Sequence, residues 1–151
     1  MHRVLHCVFD WEHDYLHQFV VGDTFYGVPD PEWGDELPMR DERSVPLRRI
    51  LTTVGDTIMY EYDFGDSWRH DMVLEAILPV HADRTYPLCV AGARARPSED
   101  VGSAGGYAHF LAAIGDPAHA EHDELLTWAG GVFDPDGCDV NMVNRKLQRL
   151  R

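Results

Sequence analysis

The stretch that decides the fold is Thr57–Leu78, which reads TIMYEYDFGDSWRHDMVLEAIL. Its first half alternates between large apolar and more polar side chains, which is typical of a half-buried β-strand. The sequence therefore predicts a strand over Thr57–Phe64. One face of this strand carries Ile58, Tyr60 and Tyr62, and the other carries Met59, Glu61 and Asp63.

The second half of this stretch begins with a turn signal, Gly65-Asp66. Gly tolerates the positive φ of tight turns, and Asp accepts hydrogen bonds from neighbouring backbone N–H groups. Alternation resumes over Trp68–Leu78, and Pro79 then interrupts it as a strand breaker. We therefore expect a β-hairpin centred on Tyr62–His70.

A second hairpin is predicted nearer the N-terminus. Leu16–Val21 has strand character, Gly22-Asp23 is a turn signal, and Thr24–Val28 has the character of a returning strand. Pro29–Pro46 is rich in Pro, Asp and Glu, so it is predicted to be a long exposed loop.

Helical spacing of apolar residues occurs in several other segments. The predicted helices are Met1–Val8, Leu47–Val54, Tyr107–Ile114, His119–Trp128 and, behind an N-cap at Asp139, Val140–Leu150. Tyr86–Gly92 is predicted to be a short strand or turn, and Ala93–Gly106 a Gly-rich loop. Together these elements predict the α+β class: a single domain over residues 1–151, with an antiparallel sheet packed against several short helices.

The chain is acidic, with 26 Asp and Glu residues, 13 Lys and Arg residues and a formal net charge of -13. Sequence-independent binding to nucleic acid needs clustered cations, so this balance argues against it. The charge is compatible with a basic protein partner, with a metal ion, or with solubility alone. We expect a protein partner, whose identity the sequence does not give, and the oligomeric state is equally open.

The cysteines are three in number and widely spaced, at Cys7, Cys89 and Cys138. That pattern is typical of reduced thiols in a cytoplasmic protein rather than of a disulfide framework. No apolar run approaches the roughly 20 residues that span a bilayer, and the N-terminus lacks the features of a signal peptide. We therefore expect a cytoplasmic protein without a membrane segment.

Four pieces of the sequence resemble one known family, the plasmid pRiA4b ORF-3-like proteins, which are also described as insertion-sequence passengers of the TnpR-like kind. The pieces follow the family's order and span nearly the whole chain: Phe9–Phe19, Tyr60–His70, Tyr86–Tyr107 and Phe133–Leu147. The motif YDFGD-x-W-x-H in the second piece is specific. The resemblance implies a compact α+β domain with an antiparallel sheet, found with mobile elements and plasmids, and it implies no assigned reaction.

The chain departs from the family pattern in two places. Family members carry about a strand and part of a helix before the position of Met1, and the helical stretch Met1–Val8 has no N-cap. We therefore expect either a start site placed too far downstream or a natural truncation. In the loop at 96–100, the family often has Cys-Pro-Pro-Glu-Asp where this chain has Arg-Pro-Ser-Glu-Asp. If relatives use Cys89 together with the cysteine at position 96 to bind a metal, this chain lacks the second thiolate, because position 96 is Arg.

The most prominent candidate for chemistry is a polar cluster of Asp63, Asp66, His70, Glu99 and Asp100. Carboxylates and an imidazole at the end of a hairpin suit a divalent cation or acid–base catalysis, with Asp66, His70 and Glu99 as candidate metal ligands. The alternative is structural, because Asp in a turn bonds to its neighbouring backbone. The sequence assigns no catalytic residue.

Further histidines are candidates for a metal site: His13, His17, His119 and His122. The sequence HAEH at 119–122 does not match the HExxH pattern of zinc proteases, and surface exposure is the ordinary reading of such histidines.

Three hypotheses for function follow. The first is a non-enzymatic binding module that acts through protein contacts in a mobile-element or plasmid context. The second is a metal-dependent hydrolase or nuclease that uses the polar cluster. The third is a DNA-binding accessory protein, which the net charge disfavours. No cofactor is evident, and a divalent metal is the one cofactor that the residues suggest.

Overall fold

A computed structural model describes residues 1–12, 15–29 and 39–150 of the chain. The chain divides into two compact units. The sheet unit comprises Tyr15–His81, and the helical unit comprises Met1–Asp14 together with Ala82–Arg151. The described strands all lie in the first unit and the described α-helices in the second, which confirms the α+β class. That residues 1–151 behave as a single domain stays a prediction.

Within the described residues, five strands form one sheet. They are β1 His17–Val21, β2 Thr24–Gly27, β3 Met39–Asp41, β4 Thr57–Tyr62 and β5 Trp68–Val73. Their order across the sheet is β3-β2-β1-β4-β5, and every neighbouring pair is antiparallel except β2 with β3, which is parallel. Both predicted hairpins, β1–β2 and β4–β5, are present.

One edge of the sheet corrects the prediction of a continuous loop over Pro29–Pro46. β3 lies inside that segment and adds a parallel strand to an otherwise antiparallel sheet. Three residues are too few to show alternation, so the sequence carried no strand signal there. Residues 30–38 of the same segment lie outside the described part of the chain.

The other edge is shorter than predicted, because β5 ends at Val73 rather than at Leu78. The register pairs Val73 with Thr57, the first residue of β4. Two further bonds extend the pairing by one residue: the Leu74 N–H donates to the Asp56 carbonyl (2.8 Å), and the Leu74 carbonyl accepts the Gly55 N–H (2.9 Å). The length of β4 therefore limits the length of β5.

The buried face of the sheet is aromatic. Tyr60 lies at its centre with no exposed surface, and Tyr62 is also fully buried. Tyr60 pairs with Phe19 of β1 and with His70 of β5, so these three side chains share one face. The Phe19 and Tyr60 rings lie 4.8 Å apart between centroids. Ile58, Tyr60 and Tyr62, which the predicted alternation places on one face of β4, are all buried.

The predicted helix Leu47–Val54, in the sheet unit, is only a short 3-10 turn, Leu47–Arg49. The Asp56 carboxylate accepts hydrogen bonds from the backbone N–H groups of Thr52 (2.7 Å) and Thr53 (2.9 Å). These local bonds satisfy N–H groups that a longer helix would use, so they compete with helix formation and end it early.

The helical unit contains four α-helices within its described residues. They are α1 His2–Phe9, α2 Ser103–Gly115, α3 His122–Trp128 and α4 Val140–Leu147. A 3-10 turn, Gln148–Leu150, continues α4 to the predicted end. The predicted N-cap is confirmed, because the Asp139 carboxylate accepts the Met142 N–H at 3.0 Å. None of the described helices is long and apolar enough to cross a membrane.

Helix α2 begins earlier than the predicted start at Tyr107, in a segment that we had assigned to a loop. The Gly106 N–H donates to the Gly102 carbonyl (2.7 Å) and closes the first turn. A side chain at Gly106 would collide with the carbonyl oxygen of Val101, so only Gly permits this close approach. The low helix propensity of Gly hid the start from sequence analysis.

The core of the helical unit is built around Phe110, which is 1% exposed. Its ring packs edge-to-face against Phe133, at 5.0 Å between centroids, and against Trp128, at 5.8 Å. Val143 and Leu147 of α4 are also buried. The two residues lie four apart on one helix face, as the predicted spacing required.

The central position of Tyr60 gives a test of the fold. We expect Tyr60→Ala to lower the free energy of unfolding by about 3–5 kcal/mol, because it removes a fully buried ring and leaves a cavity. Urea denaturation measures this change. Val80→Ala, in the same unit at an 83% exposed position, is the control and should change stability by less than about 0.5 kcal/mol. Equal effects of the two substitutions would contradict the assigned core.

Candidate functional site

The five residues of the predicted polar cluster are divided between the two units. Asp63, Asp66 and His70 belong to the sheet unit, whereas Glu99 and Asp100 belong to the helical unit. Each group has its own local structure, and we describe the two groups separately. No metal-ligand set among the described residues includes any of the five.

Asp63 forms the corner between β4 and β5. Its φ of 54° is left-handed, and its Oδ1 accepts the Gly65 N–H at 3.0 Å. Its carbonyl accepts the Ser67 N–H at 2.5 Å, and its own N–H donates to the Leu16 carbonyl at 2.9 Å. Asp is among the few residues that tolerate this conformation, because its short carboxylate bonds to nearby N–H groups. These local bonds give Asp63 a role in shaping the fold.

Asp66 lies in the turn itself and is half-buried. Its N–H lies 3.4 Å from Oδ1 of Asp63, a long contact beside the shorter one to Gly65. This contact places Asp66 beside Asp63 in the turn. The position of Asp66 is therefore explained by the turn itself and requires no bound ligand.

His70 is half-buried on the aromatic face, with its ring 6.0 Å from that of Tyr60. Burial lowers the pKa of His70, since the charged imidazolium loses hydration, and hydrogen bonds involving the backbone of Trp68 and Tyr60 only partly oppose this. The imidazole is therefore predominantly neutral at neutral pH. A neutral ring packed on Tyr60 suits the core of the sheet.

A buried carboxylate that the sequence did not indicate, that of Glu61, lies on the opposite face of β4. It is 8% exposed and accepts hydrogen bonds from Ser67 Oγ (2.6 Å) and Gln18 Nε2 (2.7 Å), with Arg69 Nε at 3.3 Å. Burial alone would raise the pKa of Glu61, but these three donors outweigh it and the pKa is lowered. Glu61 is therefore an ionised structural anchor.

In the helical unit, Glu99 is occupied by the backbone. Its Oε2 accepts the N–H of Glu12 at 2.8 Å. Arg96, at the position where the family often has Cys, is half-buried, with its guanidinium 3.5 Å from the Asp10 carboxylate. Arg96 thus forms an ion pair at the position where the family resemblance implies a cysteine.

Cys89 is likewise built into the fold through its backbone. Its N–H donates to Asn144 Oδ1 (2.8 Å), and its carbonyl accepts Asn144 Nδ2 (2.9 Å). The Cys89 thiol donates to the Ala91 carbonyl at 3.3 Å. Within the described residues, no group of potential metal ligands contains a cysteine.

Asp100 is the member of the predicted cluster that lines a cavity. A pocket of about 220 Å³ opens between α2 and α3. Its walls are partly aromatic and partly acidic, and they consist of Asp100, Val101, Gly106, His109, Phe110, Glu124, Leu125 and Trp128. We call this cavity the α2–α3 pocket.

The backbone around Gly106 explains why the α2–α3 pocket forms there. Asp100, Gly102 and Ser103 all have positive φ, so the chain turns sharply before α2. The close approach at Gly106 then holds Val101 against the first turn of the helix. Phe110 forms a buried wall of the pocket, while Trp128 from α3 remains 47% exposed.

Beside the pocket lies a second group of polar side chains, which includes His109 of the pocket wall. Donor atoms of His109, His119 and Glu121 all lie within 4.8 Å of one another. His109 Nε2 lies 2.8 Å from Glu121 Oε2, and the two imidazole rings are 5.5 Å apart between centroids. We call these three residues the His–His–Glu cluster.

The outcome for the histidine candidates is mixed. His119 belongs to the cluster, whereas His122 bonds through Nδ1 to the Ala113 carbonyl (3.0 Å) and His17 lies 3.1 Å from Glu42. His13 lies outside the described residues. His109 was not among the predicted ligands. It lies on α2, well before His119 in the chain, and the two rings meet only because the turn before α3 packs against α2.

The fold and the site define a small α+β protein with a hairpin-based sheet and a helical unit that carries a pocket and a His–His–Glu cluster. The chain belongs to the plasmid pRiA4b ORF-3-like family, whose model matches residues 1–142. The family resemblance is thereby confirmed.

Two relatives support this membership. The uncharacterized protein y4hQ of Sinorhizobium fredii is 33% identical over 151 residues, which cover 99% of this chain and 77% of that protein. The crystal structure of MM3350, a protein of unknown function from Methanosarcina mazei Go1, is similar with a TM-score of 0.83 at 33% identity. That similarity covers 93% of this chain and 79% of the archaeal chain.

The structural role of Asp63 predicts a particular pattern of substitutions. Asp63→Asn should change the free energy of unfolding by less than about 0.5 kcal/mol, because Asn tolerates the left-handed conformation and still accepts the N–H bond. Asp63→Ala should cost about 2 kcal/mol, since it loses that bond and strains the backbone. Urea denaturation of both variants provides the measurement. Equal losses for Asn and Ala would instead indicate that the charge of Asp63 matters.

The lowered pKa of His70 predicts how stability depends on pH. In the unfolded chain the pKa returns towards 6.5, so the unfolded state binds more protons as the pH falls below that value. The contribution of His70 to stability is therefore complete above pH 6.5 and declines below it, by at most about 1.4 kcal/mol per pH unit.

Denaturation of wild type and His70→Gln between pH 5 and pH 8 tests this sign. The stability difference between the two proteins should shift against the wild type as the pH falls, because only the wild type carries the buried imidazole. A difference that is constant over this range, or that shifts the other way, would show that burial does not control the pKa of His70.

Proposed function

We propose that this protein is a non-enzymatic binding module whose α2–α3 pocket receives an arginine side chain from a basic segment of a protein partner. The observation that carries the proposal is the composition of the pocket wall. It combines two carboxylates, Asp100 and Glu124, with the rings of Phe110 and Trp128.

The chemistry of a guanidinium matches that wall. Arginine pairs with carboxylates through a planar fork of N–H donors and stacks on aromatic faces. Trp is the strongest aromatic partner for a cation, and Trp128 is partly exposed at the pocket. The net charge of -13 adds attraction for a basic partner over a longer range.

The expected affinity for a single side chain is low. An exposed ion pair contributes about 0.2–1 kcal/mol and a cation–π contact about 0.5–2 kcal/mol. Two such ion pairs and one ring contact therefore reach about 4 kcal/mol at most, which corresponds to a Kd of about 1 mM. A partner must add contacts outside the pocket, so the pocket serves as an anchor for one residue of a longer basic segment.

The metal-dependent enzyme that uses the predicted polar cluster is the weaker hypothesis. Asp63 and Glu99 direct carboxylate oxygens at backbone N–H groups, and His70 packs on the aromatic face. A DNA-binding accessory role also receives less support, since the net charge opposes the approach of a polyanion. The family's association with plasmids suits a module that acts through protein contacts.

Titration with Nα-acetyl-arginine methylamide, followed by the backbone amide signals of the isotope-labelled protein, tests the proposal. We expect shift changes concentrated at Val101, Gly106 and Leu125, with half-saturation at millimolar or higher concentrations of the probe. The matched ligand is Nα-acetyl-citrulline methylamide, which has nearly the same shape without the charge and should bind several-fold more weakly. Equal responses to the two ligands, or changes spread over the whole surface, would refute the proposal.

Matched protein variants separate the pocket from the overall charge. Glu124→Gln and Glu75→Gln remove one charge each from exposed positions, but only Glu124 lines the pocket. We expect Glu124→Gln to weaken binding of the arginine probe about threefold and Glu75→Gln to leave it unchanged. Trp128→Ala, which keeps the charge, should also weaken binding. If Glu124→Gln and Glu75→Gln weaken binding of the arginine probe equally, the probe is attracted by the net charge of the protein and not by the pocket.

A further inference from the structure

We propose that the His–His–Glu cluster is a binding site for a divalent first-row transition metal ion of the Zn²⁺ class. The ligands are one imidazole nitrogen each from His109 and His119 and one carboxylate oxygen of Glu121. This site is distinct from the predicted polar cluster, none of whose residues takes part.

The spacing of the donors suits such an ion. Ligands of tetrahedral zinc lie about 2.0–2.2 Å from the metal, so they are separated from one another by about 3.3 Å. The donor atoms here lie within 4.8 Å of one another, and His109 and Glu121 are already at 2.8 Å. Rotation of side chains that are exposed or half-buried covers the remaining difference without backbone movement.

The backbone that carries the ligands is held in place. The turn before His119 is fixed by Asp116, which accepts the Ala118 N–H through its carboxylate and the His119 N–H through its carbonyl, both at 2.9 Å. The ring of His122 ties the start of α3 to α2 through the Ala113 carbonyl. The ligands, from α2 and from the turn that precedes α3, therefore remain close without a metal.

The donor set selects the class of metal. Two imidazoles and one carboxylate suit Zn²⁺, Co²⁺ or Ni²⁺, whereas Mg²⁺ and Ca²⁺ prefer oxygen ligands alone. Three protein ligands leave one position of a tetrahedral ion for water or for a group from a partner.

Binding has two identifiable costs. The hydrogen bond between His109 Nε2 and Glu121 Oε2 is lost if Nε2 binds the metal. In the structure, His119 Nδ1 accepts the backbone N–H of Glu121 at 3.2 Å. If Nε2 binds the metal, the ring proton moves to Nδ1 and this hydrogen bond is lost, and if Nδ1 binds, the metal replaces the N–H. The bond is long and belongs to an exposed segment, so its loss is small beside two metal–nitrogen bonds.

A competing pair of histidines must be separated in any test. His2 and His6 lie one turn apart on α1, with their rings 5.5 Å apart. Such a pair also attracts transition metals, so wild-type binding alone does not locate the site. The variant His2→Gln/His6→Gln is therefore the matched control, because it too removes imidazoles from the helical unit.

Isothermal titration of the full-length, chelator-treated protein with ZnCl₂ tests the proposal. We expect one site whose affinity falls at least about tenfold in His109→Gln, in His119→Gln and in Glu121→Gln. The His2→Gln/His6→Gln control should keep it. Circular dichroism checks that each variant is folded. Glu121→Gln is expected to disturb the fold least, because Glu121 is exposed.

Titration with CoCl₂ adds a readout of coordination. Tetrahedral Co²⁺ bound to imidazole absorbs strongly in the visible range, and these bands should appear in wild type and in the control and disappear in His119→Gln. The proposal is overturned if no metal binds at millimolar concentration, if the three site variants bind as well as wild type, or if binding is lost in the His2→Gln/His6→Gln control. The arginine probe is measured with a chelator present, so its outcome is independent of this one.

Discussion

The backbone corner at Asp63 is the constraint on which the rest of the sheet unit depends. Its left-handed conformation turns the chain out of β4, its N–H joins the chain to Leu16 just before β1, and its carboxylate and carbonyl close the turn. Because strand side chains alternate between faces, a slip of one residue at this corner would move Tyr60 to the opposite face. The corner therefore specifies the register that buries the aromatic core.

The same corner also positions the buried carboxylate on the other face of the sheet. Its carbonyl holds the N–H of Ser67, and the hydroxyl of that residue donates to Glu61. Glu61 then binds side chains from both neighbouring strands, Gln18 of β1 and Arg69 of β5. A buried carboxylate with these donors is stable only in one register, so the polar network and the aromatic face enforce the same pairing.

The sequence predicted what depends on short-range periodicity and turn chemistry. Both hairpins and the Asp139 cap follow from residues close together in the chain. It did not predict the parallel strand β3, because three residues are too few to show a periodic pattern. It also did not predict the early start of α2, because Gly106 has a low helix propensity although the helix requires a glycine there. For the site, the sequence indicated Asp100 and His119 but not His109 or Glu124. The neighbours of these two residues come from distant parts of the chain, which the folding of the helical unit brings together.

The family motif, Tyr62–His70, lies in the sheet unit, whereas the residues of the two proposed ligand sites lie in the helical unit. YDFGDSWRH shapes the sheet, while the helical unit holds the pocket and the His–His–Glu cluster. His109 belongs to both of these sites. A divalent ion on His109 would repel a guanidinium in the pocket, and since linkage is reciprocal, the guanidinium would weaken the metal to the same degree. The two proposed ligands would therefore act against each other, and a metal ion in the cluster would lower the affinity of the pocket for a basic partner.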